Sequence, residues 1–300
     1  MTTMMTMMSG KTSGLHKLSE IPLSQSAIWP DAKILKTKQF RDACVEAHNA
    51  IFWVARGANS FIEAMPQNQH LSLLWVGDSQ DFRTRYFEKH FQIGLNIREL
   101  EIYFCENGLK VPHSFCFDDR TPAFAEAWYL VELLHRDFDQ SKFATSLPFD
   151  SPFMLMGDTQ DHNASLYNHE LEALHVCLLK SVRLFRRIPS LLTPIESLLH
   201  QPNKIALEPE TFTLEYTAFS SVTTGQKIII GFCPGDHLRP EPFYFIKDIN
   251  QNFRPKSRGL DYRPESIQPL VKVIENDMSD DELLNELCKL TLALVESAKI

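Results

Sequence analysis

Between positions 161 and 175 the chain reads DHNASLYNHELEALH: three histidines, two glutamates and an aspartate in fifteen residues. Such side chains ligate iron, manganese or zinc, or move protons. Placed on a helix at 165–188, Tyr167, Leu171, Leu174, Leu178, Val182 and Phe185 share one face. His162 and His169 then point to water, and His175 lies about 60° from the centre of the apolar face with Glu172 about 120° away. The preceding apolar segment repeats this spacing as Glu132-Leu-Leu-His135, matching Glu172-Ala-Leu-His175. Residues three apart on a helix can converge on one ion, and two Glu-x-x-His pairs with two further carboxylates build a di-iron bundle site. Glu132, His135, Glu172 and His175 are therefore the metal candidates, with a divalent ion as the implied cofactor. With 11 His in 300 residues, however, such a motif arises by chance about once. No further carboxylates complete the set, since Glu46 falls on the outer face of its helix. Polar helix flanks are the favoured reading.

Other chemistry-bearing residues sit at the ends of apolar runs, where pockets form. His48 lies at the edge of a helical core face, His70 precedes LSLLWV, and His237 follows Cys233 in GFCPGDHLRPEPFYF. These histidines titrate near neutral pH and suit acid or base roles. Arg239 and Arg263, each held extended by a following proline, suit a carboxylate or phosphate, with Tyr244 as a further contact. A Cys233–His237 nucleophile lacks an orienting third residue.

Periodicity predicts the elements that must position these groups. A helix is expected over 37–56, ended by Gly57, followed by a strand at 71–76. Asp78 or Ser79 is expected to cap a short helix through Lys89. A strand at 99–105 turns at Asn107-Gly108 and returns over 109–117. Thr121-Pro122 opens a helix to about Phe138, with Phe124, Ala127, Val131, Leu134 and Phe138 as its core face. The stretch 140–160 is the best candidate for an internal boundary. Strand-like runs follow the central helix at 211–219, 227–232 and 243–246. Two terminal helices close the chain, the last opened by a Ser279/Glu282 capping box with Leu283, Leu287, Leu290 and Leu294 as its stripe. Elements come in clusters rather than in alternation, which predicts an α+β class: a mixed or antiparallel sheet with packed helices, in one large domain over 30–300 behind a flexible tail at 1–29.

Composition narrows the function. A net charge of −8 argues against nucleic acid or an anionic membrane as partner. No window has the apolar length of a membrane helix. Only 11 glycines, and Met5 where a phosphate loop needs glycine before Gly10-Lys11-Thr12, argue against a Gly-rich nucleotide site. Six cysteines without a CxxC pair, most of them inside apolar runs, fit a reducing, cytoplasmic setting.

Several short motifs, in order, resemble the uncharacterised, mainly bacterial domain-of-unknown-function family numbered five-nine-nine-six. They are Trp29-Pro30, His48, Asn68-Gln69-His70, Leu147-Pro148-Phe149-Asp150, Asp161-His162 with Tyr167, and Gly231-Phe232-Cys233-Pro234-Gly235 before Pro242-Phe243-Tyr244. The chain departs from the family at Cys233, where the family carries tryptophan, and in lacking its aromatic block after the central helix. The resemblance implies no activity. It does imply that His48, His70 and the 231–244 segment should be tested together.

The leading expectation is a pocket protein binding, or acting on, a small anionic molecule through His48, His70, His237, Arg239 and Arg263. Its rival is an interaction protein or homo-oligomer docking through the C-terminal helix, where Leu284, Leu292 and Leu294 suggest a second apolar face.

Overall fold

The computed structural model describes residues 28–77, 79–151, 154–155, 157–158, 160–192, 205–220, 226–250 and 266–297. Arg263 and the segment 1–27 lie outside them. The helices are α1 (Ala32–Leu35), α2 (Lys38–Phe61), α3 (Pro122–His135), α4 (Asn168–Leu191), α5 (Leu270–Glu275) and α6 (Asp280–Ser297). The strands are β1 (Leu73–Val76), β2 (Asp81–Arg83), β3 (Phe91–Asn96), β4 (Glu101–Glu106), β5 (Leu109–Lys110), β6 (Phe115–Cys116), β7 (Ile205–Glu208), β8 (Thr213–Ser220), β9 (Gln226–Cys233), β10 (Phe243–Asn250) and β11 (Ser266–Pro269). All eleven form one antiparallel sheet in the order β11-β10-β9-β8-β7-β1-β2-β3-β4-β5, with β6 also on β4. The class is α+β.

Alternation decides the two faces. On β8, Leu214 and Tyr216 enter the main core while Thr213 and Glu215 point the other way. On β10, Tyr244 and Ile246 enter that core, whereas Phe243 and Phe245 join Ile229 and Cys233 in a small cluster on the opposite face. Side chains from all six helices fill the main core. The helix α2 packs on β3 and β4, α4 on β7 and β8, and α6 on β9 and β10.

The expected helix over 37–56 continues to Phe61. Thr37 caps it by accepting the Phe40 N–H at 3.0 Å. Gly57 does not end it: an added Cβ there would lie 2.2 Å from Ile93 Cδ1, so glycine serves the close approach of α2 to β3. The helix expected from Asp78 or Ser79 is instead the strand β2. Phe82 is fully buried between β1 and β3, and Glu88 and Lys89 take positive φ, which no helix continues. The strand β3 was absent from the periodicity reading.

Corrections of facing matter more. In α3 the buried residues are Pro122, Ala125, Tyr129, Glu132 and Leu133. Of the expected core face, Phe138 packs on the core beside Phe61, Phe87 and Phe91, but the rest is the outer face: Phe124, Val131 and Leu134 are 54%, 49% and 62% exposed. Tyr129 fixes the choice, because its buried hydroxyl donates to the Trp53 carbonyl of α2 at 2.7 Å. Thr121 does not cap α3 through its side chain; its hydroxyl donates to Asp158 at 2.6 Å. Within the stretch expected to be a boundary, Thr145 and Leu155 are tied to α2: Arg56 donates to the Thr145 carbonyl at 2.7 Å and Asn49 accepts the Leu155 N–H at 2.8 Å. Ser279 and Glu282 form the capping box of α6. Leu284 of that helix is buried with Leu283 and Leu287, so it belongs to no second face. Among the described residues no helix is long and apolar enough to cross a membrane.

Candidate functional site

Among the expected pocket residues, the described ones, His48, His70, His237, Arg239 and Tyr244, come to one end of the sheet. The β7–β8 turn, the β9–β10 hairpin and the start of β1 share that end, as the pairings Glu208↔Thr213, Phe243↔Cys233 and Leu73↔Leu207 require. They do not come into contact with one another. His48 sits against Phe52 and Phe212, with ring centroids at 4.2 and 5.2 Å, and donates from Nε2 to the Pro209 carbonyl at 2.7 Å. Burial lowers its pKa to about 4, so the ring is neutral at pH 7. His70 is buried; its Nδ1 accepts the Met65 N–H at 3.2 Å, and its Nε2 faces Asn59 Oδ1 at 3.4 Å. His48 and Asn59 stand eleven positions apart on α2, or about 16 Å along its axis.

His237 is exposed in the β9–β10 hairpin. Arg239 pairs with Asp236 at 3.2 Å and lies 5.0 Å over the Phe243 ring. Tyr244 is a core residue whose hydroxyl meets Ser181 Oγ at 2.8 Å beneath α4. Cys233 is buried, and burial pushes its thiol up to about 12, far from a reactive thiolate.

The metal candidates do not converge either. Glu132 is buried and bound to Arg136 at 2.7 Å, and His135 stands 3.7 Å from it with an exposed ring. Glu172 is held by Arg98 at 2.8 Å. His175 is buried, 3.4 Å from Gln80, with burial lowering its pKa to about 4. Each glutamate already has a guanidinium partner, which supplies the charge an ion would have supplied. Among the described residues no three His, Cys, Asp or Glu side chains gather to hold a metal.

Two arrangements escape the sequence reading, and a third is legible in it but faces the other way. His162 is fully buried rather than turned to water, and its Nδ1 donates to Glu46 Oε2 at 2.7 Å. It precedes α4, so a helical wheel does not apply to it. Its Nε2 has no hydrogen-bond partner among the described residues and the ring meets Phe117 edge-on at 4.9 Å. The Glu46 carboxylate thus orients a buried imidazole and ties the 160s to α2.

On the sheet face away from α4, Ser72 donates to both oxygens of Glu208, at 2.9 and 2.8 Å. Burial, and then the neighbouring Glu215 carboxylate, push Glu208 up to about 7. Glu215 in turn pairs with Lys247 and accepts from Thr213 at 3.0 Å. Glu208 can therefore hold a proton near neutral pH. The polar alternation Thr213, Glu215, Thr217 was this arrangement's visible signal.

The third arrangement is the outer face of α3. Successive side chains 124, 127, 131 and 134 are all apolar and all exposed. Beside them a groove of about 390 Å³ runs between α3 and β6, lined by Phe115, Cys116, Arg120, Phe124, Trp128 and Val131. Arg120 stands 5.6 and 5.9 Å over the Phe115 and Phe124 rings. A second groove, of about 460 Å³, lies between Leu191 of α4 and Cys288, Leu292 and Ala293 of α6. Neither groove touches His48, His70, His237 or Arg239.

No family model, no curated protein and no solved structure matches the chain. The resemblance to the family numbered five-nine-nine-six rests on its short motifs alone.

Proposed function

We propose that the chain is a protein-interaction module that docks through the outer face of α3. The observation that carries this reading is the exposure of Phe124, Val131 and Leu134, each about half or more, on one helical face. Scattered exposed apolar residues are ordinary, but a contiguous stripe beside an apolar groove marks a contact surface. The face belongs to α3 and not to the C-terminal helix, whose leucines at 283, 284 and 287 are spent in the core. A photo-crosslinking amino acid at Val131, tested in the cells that express the chain, should give a discrete higher-mass product. The same probe at Leu238, exposed on the β9–β10 hairpin, serves as control; equal yields from both positions would sink the reading.

A second reading is a small anionic ligand at the sheet end shared by His48, His70, His237 and Arg239. Their common end of the sheet is what favours it. Phosphate and small carboxylates should raise the melting temperature, and Arg239→Ala should remove the shift. A shift indifferent to that substitution takes Arg239 out of the site.

A further inference from the structure

The outer face of α3 is suited to one occupant more than to others. Resting on the interaction reading, we infer that a second copy of this chain covers it, with the two α3 helices antiparallel about a two-fold axis near position 129.

The inference comes from the order of residues along the face. In an antiparallel pairing centred on position 129, residue 124 meets 134 and residue 127 meets 131. Phe124 then faces Leu134 at both ends, and Ala127 faces Val131 near the axis. Large side chains meet over the outer turns, and the small Ala127 leaves room for the branched Val131. The match is self-complementary, as an isologous interface requires.

The charges follow the same symmetry. Arg120 is exposed just before α3, its guanidinium lying over the N-terminal end of the stripe. Asp137 and Asp139 are exposed just after its C-terminal end. The pairing that sets Phe124 against Leu134 brings Arg120, just before one α3, to the end of the other copy's α3 that Asp137 follows. Neither Arg120 nor Asp137 forms an ion pair among the described residues, so both are available to a partner. Antiparallel helices also oppose their dipoles favourably. The titratable groups beside the stripe are Glu126 and His135 on exposed α3 positions and Cys116 in the groove, all flanking it rather than lying within it.

Light scattering coupled to size exclusion, on the full chain over a wide concentration range, tests this. The mass should rise from one copy toward two with concentration. Phe124→Glu and Leu134→Glu, both at exposed positions and with circular dichroism unchanged, should hold the chain monomeric. Arg120→Asp should weaken dimerisation by roughly tenfold, because both symmetry-related pairs are reversed at once. Adding Asp137→Arg to it should restore most of the loss. A wild-type chain that stays monomeric throughout overturns the inference, as does a dimer indifferent to Phe124→Glu. A monomer whose Val131 probe still captures a different protein overturns the second copy alone and leaves the interaction reading standing; a monomer without any capture ends both.

Discussion

His48, His175 and Glu208 are the side chains whose protonation the fold controls most clearly, and their effects oppose one another. Burial holds both histidines near 4, below the ordinary 6.5. Between those values the unfolded chain binds more protons than the folded one, so stability falls as pH drops through that window, by up to roughly 3 kcal/mol per histidine. Glu208 is raised from 4.5 to about 7. In that window the folded chain holds the extra proton, so stability is lost as pH rises through it, by up to roughly 3 kcal/mol. Glu208→Gln should therefore shrink the stability lost between pH 5 and pH 8, and His175→Leu should shrink the loss below pH 6. Urea denaturation at each pH measures both, and pH profiles parallel to wild type would contradict the assignments. At this scale the sequence was a poor guide. Glu46 and His162 lie 116 positions apart, and nothing local in either segment reports their pairing.

The elements were more legible than the faces they present. Helical spacing located α2, α3, α4 and α6, because apolar residues three and four apart survive without knowledge of the partner. It failed between positions 78 and 97, where short strands carry too few alternations to outweigh a polar string that also suits a helix. For α3 it found a real apolar stripe and assigned it to the wrong side. A helix apolar on two sides gives no local sign of which side meets the sheet; the distant Trp53 carbonyl decides it by taking the Tyr129 hydroxyl. Close contacts between elements were equally hidden. The Phe245 ring of β10 lies where a Cβ on Gly231 of β9 would be, 2.0 Å from the nearest ring atom. Gly231→Ala should displace that ring and cost about 1–3 kcal/mol, as overpacking does in a filled site. Equilibrium unfolding that shows less than about 0.5 kcal/mol would mean that the ring moves freely.

The whole molecule is asymmetric: the helices gather on one face of a wide antiparallel sheet, and α3 is left at the β4 side with its own outer face bare. Its α+β class followed from the clustering of elements alone, but strand order did not, because β7 pairs with β1 across more than a hundred residues. The bare face sets the strength to expect of a contact there. Fully burying a large apolar side chain is worth about 1.5–3 kcal/mol, and Phe124, Val131 and Leu134 are already about half buried. Two copies would together gain roughly 6 kcal/mol from these residues, against an association cost of about 4–15 kcal/mol. The stripe therefore supports a weak, concentration-dependent contact unless the groove at Phe115 and Trp128 adds to it. In the proposed function, α3 meets another protein surface through its outer face. The yield of crosslinked product from a probe at Val131, relative to Leu238, reports on it most directly. A strong excess at Val131 that disappears with Leu134→Glu is expected; equal yields, or an excess untouched by that substitution, would show that α3 does not dock through this face.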